Sequence, residues 1–99
     1  LKLDKPEILN TLGNNEYEIA NWDVNIFPNP SRDFLNITIN GSKSKDIKYT
    51  IMNTLGKIIY QQTETFKRHQ INIENLSTGN YFLILEQDNY LTSKEFVKF

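Results

Sequence analysis

Short stretches of strict apolar/polar alternation, each cut off by backbone-turning residues, leave this chain little choice but a stack of short antiparallel strands. The clearest stretch, Leu35-Asn36-Ile37-Thr38-Ile39-Asn40, ends at Asn40-Gly41-Ser42. A period of two puts Leu35, Ile37 and Ile39 on one dry face and the polar residues on the other. The same alternation returns at Ile47, Tyr49 and Ile51, and again at Ile71 and Ile73. Asn53-Thr54-Leu55-Gly56 turns the first of these runs into Lys57-Ile58-Ile59-Tyr60, which reads as a hairpin.

Before them, Val24 to Phe27 is stopped by Pro28-Asn29-Pro30, because proline offers no donor to a ladder and biases the residue before it to extended geometry. Polar residues Gln61 to Arg68 read as a loop or a fraying strand end. Leu76-Ser77-Thr78-Gly79-Asn80 makes another corner, followed by Tyr81 to Leu85 and a last run, Leu91 to Phe99. Seven strands at this spacing predict an all-β fold, a small sandwich or barrel. The composition agrees, with one alanine against twelve isoleucines, eight threonines and twelve aromatics.

Residues 1–24, with Pro6, Gly13, Asn14 and Asn15, hold no sustained period and read as a linker or the tail of a preceding domain. Tyr17, Ile19 and Trp22 could lie along an adjacent surface or belong to that preceding domain. The chain opens at Leu1 without a basic and apolar leader, so it reads as a piece of something longer whose export signal lies upstream. Residues 25–99 form the expected domain. If its last strand supplies packing, trimming the C-terminus is expected to do more damage than trimming Leu1 to Asn21.

The charges limit the function. Eleven Lys/Arg against twelve Asp/Glu leave a formal charge of -1, without the basic field of a nucleic-acid binder. No apolar run approaches the ~20 residues of a transmembrane helix. Without cysteine there are no disulfides, thiolate metal sites or cysteine nucleophiles. The only histidine, His69, stands without a second imidazole or clustered carboxylates, and reads as an exposed loop residue. No serine sits in a Gly-x-Ser-x-Gly elbow, and the four glycines are separate turn residues rather than a phosphate cradle. No cofactor or metal is expected, and no enzyme.

Three features admit a functional reading beside a structural one. Lys43, Lys45 and Lys48 either meet an anionic surface or keep a strand edge soluble. Trp22, Tyr17 and Tyr90 either stack on a sugar or fill core. Tyr81 to Leu85 is apolar on both faces, so Phe82 and Ile84 form a docking stripe for another protein unless the chain covers them itself.

The ordered motifs carry a resemblance. Ile26-Phe27-Pro28-Asn29-Pro30-Ser31, Leu35 to Ile39, Tyr49 to Lys57, Ile71 to Tyr81 and the lysine-bearing last strand together resemble the type IX secretion system C-terminal sorting domain of Bacteroidota. The residues that match its motifs are Pro28, Asn29, Pro30, Asn53, Gly56, Lys57, Leu76, Gly79, Tyr81, Lys94 and Lys98. The resemblance implies an immunoglobulin-like antiparallel β-sandwich of about seven strands, serving as a non-catalytic address label fused behind an N-terminal cargo. It further implies transit through the periplasm and export to the cell surface or beyond. The implied partners are the type IX translocon, its outer-membrane shuttle barrel, and a sortase-like peptidase that cuts in the linker before Asn25. On this reading Pro28 and Pro30 fix a bend, Gly56 and Gly79 permit corners, and Lys94 and Lys98 present charge on the last strand. Phe99 stands where the family often has a basic residue. The competing reading is a cell-surface adhesion or carbohydrate-binding sandwich.

Overall fold

The computed structural model describes residues 17–99. The expected linker, residues 1–24, therefore lies outside the described residues up to residue 16. Eight strands follow in order: β1 (Glu18–Ile19), β2 (Asp23–Phe27), β3 (Phe34–Asn40), β4 (Ile47–Asn53), β5 (Ile58–Glu64), β6 (Arg68–Asn72), β7 (Gly79–Gln87) and β8 (Tyr90–Lys98). They form a five-stranded sheet, β1-β8-β7-β4-β5, and a three-stranded sheet, β2-β3-β6. The chain changes sheet after β1, β3, β5 and β6, and the two sheets stack as an immunoglobulin-like sandwich.

The period-two pattern decides which faces meet. Leu35, Ile37 and Ile39 of β3, Ile47, Tyr49 and Ile51 of β4, and Leu83 and Leu85 of β7 are buried together between the sheets. Phe96 of β8 joins them, which fixes the inward face that the sequence of the last strand leaves open. Trp22, Ile26 and Leu76 pack on the margin of this core.

The structure departs from the sequence expectations in several places. β5 continues to Glu64, so of the two expectations for Gln61 onward, loop or strand end, the strand end holds for its first four residues, Gln61 to Glu64. β1 adds an eighth, two-residue strand, which runs parallel to β8 and pairs Glu18 with Tyr90 and Ile19 with Leu91. Tyr17 precedes it and donates from its hydroxyl to Glu86 Oε1 at 2.7 Å. Together with Phe82 it packs on a second buried cluster of Met52, Ile84 and Leu91, on the outer side of the five-stranded sheet. Ile84 is 0% exposed, so this part of the expected stripe is covered from within the chain.

His69 also differs from the exposed loop residue expected. It lies in β6, half-buried, with Nε2 at 2.7 Å from the Tyr49 hydroxyl and 3.3 Å from Glu64 Oε2. Its ring stacks on Phe66 at 4.9 Å. Burial, then the Glu64 hydrogen bond, raise the Tyr49 phenol well above its ordinary value. The hydroxyl therefore stays a donor, and the cluster ties β4, β5 and β6 together.

Candidate functional site

Each motif singled out in the sequence has a definite local job. Asn53 opens a hairpin loop that Gly56 closes: Gly56 N–H donates to Asn53 C=O at 3.0 Å, and Asn53 N–H to Lys57 C=O at 3.0 Å. The Asn53 side-chain oxygen accepts from the N–H groups of Leu55 at 3.0 Å and Lys57 at 2.9 Å. Gly56 sits at φ 86, a left-handed conformation that a side chain disfavours. The spacing Asn-x-x-Gly-Lys is thus the chemistry of one turn.

The second motif, Leu76-x-x-Gly79-x-Tyr81, is a tyrosine corner. The Tyr81 ring lies at 5.5 Å from Phe96 in the core margin, and its hydroxyl donates back to Ser77 C=O at 2.6 Å. This bond fastens the loop that carries the chain from one sheet to the other. Leu76 N–H donates to Ile73 C=O at 3.0 Å, which closes the start of the same loop.

The third motif acts at long range. Pro28 and Pro30 follow cis peptide bonds, and the segment between β2 and β3 lies against the outer edge of β8. Asn29 takes the place of a short strand there, because its Oδ1 accepts from Val97 N–H at 3.0 Å and its Nδ2 donates to Glu95 C=O at 3.3 Å. Ser31 N–H then donates to Val97 C=O at 2.7 Å, and Phe99 N–H donates to Ser31 C=O at 2.9 Å. The Ser31 hydroxyl is fully buried and bonds Pro28 C=O. Pro-Asn-Pro-Ser is a clasp on the last strand.

Ser31, Val97 and Phe99 belong to this arrangement, although sequence reasoning does not reveal that they bond one another. Their partners lie on the far side of the chain, and no local pattern announces them. Lys98 corrects an expectation: it is only 7% exposed, and its Nζ donates to Phe99 C=O at 3.2 Å. It stands two residues beyond Phe96 on the inward side of β8, and Ser31 bridges it, so it is covered instead of displayed. Lys94, mid-strand and opposite Leu83, is exposed.

The strand register brings the motifs together. Asn53 pairs with Tyr81, Tyr81 with Phe96, Gly79 with Lys98, and Ser31 bridges Lys98. The proline clasp, the Asn53 turn, the tyrosine corner and the end of β8 therefore share one end of the sandwich. Lys94 and Ile84 lie outside this group, nearer mid-strand. The opposite end holds Tyr17, Trp22, Gly41, Asp88 and Tyr90, where the first described residues meet the β7–β8 turn. A sequence signal for this grouping exists. The three motif loops follow the first, third and fifth of the expected strands, and the chain ends after the seventh. In an alternating antiparallel stack those points all fall at one end.

The end face is relatively apolar. Pro28, Pro30, Phe34 and Phe99 line a hollow of about 420 Å³, with Arg32 and Asp33 at its rim. Among the described residues, no three His, Cys, Asp or Glu side chains are grouped to hold a metal ion. No helix is long and apolar enough to cross a membrane. No curated protein matches the chain. Residues 25–98, which include all three motif loops and the whole of β8, match the family described as secretion system C-terminal sorting domain, and the chain therefore belongs to that family of type IX secretion signals.

Proposed function

We propose that residues 25–99 work as a non-catalytic address, read in the folded state at the motif end of the sandwich. One observation carries this reading. The motif residues other than Lys94 converge on the end opposite Tyr17, so a cargo fused upstream would leave that end free for a receptor. Their chemistry is that of turns, clasps and corners, which suits shape recognition by a rigid scaffold rather than turnover. The receptors in this reading are the type IX translocon and an outer-membrane shuttle barrel, met after passage through the periplasm. A sortase-like peptidase then cuts ahead of residue 25, within the stretch that serves as linker or cargo tail, and leaves the cargo at the cell surface or outside.

The test is export. The whole chain is fused behind a periplasmic reporter in a type IX-competent bacterium and in a translocon-deficient derivative. The reporter is expected in the culture fluid or on the surface of the first strain only. Mass spectrometry of the exported reporter should find its new C-terminus before residue 25. Reporter held in the periplasm of both strains would overturn the reading.

A further inference from the structure

The outer face of the three-stranded sheet has an unusual side-chain set. By register, Asn25, Asn36, Asn40, Gln70 and Asn72 all point away from the core on β2, β3 and β6. Asparagine is depleted in strands, where its side chain competes with the ladder for backbone groups, so this many amides on one strand face run against local preference. Such violations are expected where a face has work other than folding. The outer side of the other sheet differs, with Met52, Ile84 and Leu91 buried under Tyr17.

Two adjoining hollows cross the amide face. One, of about 590 Å³, is lined by Phe27, Asn36, Thr38, Arg68 and Gln70 among others. The second is the 420 Å³ hollow beside Pro28, Phe34 and Phe99, and both share Asn36 and Gln70 as floor. Those two amides hold each other in place: Gln70 Nε2 donates to Asn36 Oδ1 at 2.9 Å, and Asn36 Nδ2 donates to Phe27 C=O at 3.0 Å. One N–H of each amide and the Gln70 carbonyl are left over for a ligand. Phe27 and Phe34 stand exposed at 47% and 42% at this end of the face. The ionised groups around it are mixed in sign, Arg32 and Arg68 against Asp23, Asp33 and the Glu74 that accepts from Asn72 Nδ2 at 3.1 Å, so cations are not in surplus.

We infer that this face is a binding platform for a neutral oligosaccharide. Fixed amides offer paired donors and acceptors to vicinal hydroxyls, and exposed aromatic rings stack on the apolar faces of pyranose rings. Mixed charge without a surplus of cations suits an uncharged ligand rather than an anionic one. The platform is separate from Trp22 and Tyr90, which line a smaller hollow at the other end of the domain. It is also independent of the export reading, since neither requires the other.

The experiment is an amide-resolved NMR titration of the isotope-labelled chain with cellohexaose, laminarihexaose and mannohexaose, each tested separately. At least one is expected to give saturable shifts in the side-chain amides of Asn36 and Gln70 and the backbone of Phe34 and Thr38, with a dissociation constant on the order of 1 mM or tighter. Gln70→Ala and Phe34→Ser should each weaken that binding about tenfold or more. Both residues are exposed, and an unchanged spectrum elsewhere verifies that the fold is kept. Absence of saturable shifts with all three sugars overturns the proposal. So do shifts centred on Trp22 and Tyr90, or binding that survives both substitutions.

Discussion

Asn29→Ala tests the clasp directly, because this side chain contributes two hydrogen bonds to the β8 backbone and little else. The bonds to Val97 N–H at 3.0 Å and Glu95 C=O at 3.3 Å are both solvent-exposed. An intramolecular hydrogen bond is worth a net ~0.5–1.5 kcal/mol, and the released backbone groups regain water here instead of being stranded. The longer bond belongs at the low end of that range, which gives a total loss of about 1.5 kcal/mol. For a domain of this size, that lowers the melting temperature by roughly 6–12 °C. Asn29→Asp keeps the acceptor for Val97 and loses the donor to Glu95, so it should fall between wild type and Asn29→Ala. Urea and thermal unfolding followed by circular dichroism measure the loss, and hydrogen exchange locates it. The Val97 and Phe99 amides should lose protection while Leu83 and Leu85 keep theirs. Stability within about 0.5 kcal/mol of wild type, with Val97 exchange unchanged, would refute the reasoning.

Other perturbations separate the remaining parts of the account. Tyr81→Phe removes only the 2.6 Å bond to Ser77 and should cost about 1–1.5 kcal/mol in urea unfolding, with the core spectrum retained. Ile84→Lys puts a charge where the structure leaves no exposed surface, so a loss of ~3 kcal/mol or more is expected; a variant as stable as wild type would mean that the stripe is open. The hydrogen bond to Glu86, with burial and the carboxylate charge adding to it, pushes the Tyr17 phenol up from 10.0 to about 12. The unfolded chain then gives up its phenol proton first, so this contribution is complete below pH 10.0 and fades as pH rises through about 12. Tyr17→Phe should make the alkaline decline of the urea midpoint shallower, whereas an unchanged decline would exclude this coupling.

The sequence revealed the local rules well and the long-range ones poorly. β3 was legible because Leu35, Ile37 and Ile39 alternate without interruption and end at Gly41. The Asn53 turn was legible because the amide and the glycine that make it lie within one loop. β1 was not, since it has two residues and depends on partners such as Glu86, 69 positions from Tyr17. That hidden strand is also why Ile84 looked like half of an open stripe. Lys98 looked displayed because its charge is local, while the Ser31 segment that bridges it comes from a distant part of the chain. The roles of Asn29 and Ser31 escaped notice for the same reason, because each is defined by the β8 backbone.

The most direct test of a signal read as a folded shape keeps every motif residue and destroys the fold. Leu83→Asp does this, since Leu83 is fully buried in the central strand of the larger sheet. The reporter fusion carrying it is followed in periplasm and culture fluid, with total fusion measured by immunoblot and the isolated tail examined by circular dichroism. The expected result is an unfolded tail and a reporter retained inside the cell at undiminished total level. Export equal to wild type from a tail shown to be unfolded would mean that the machinery reads the linear sequence, contradicting the account.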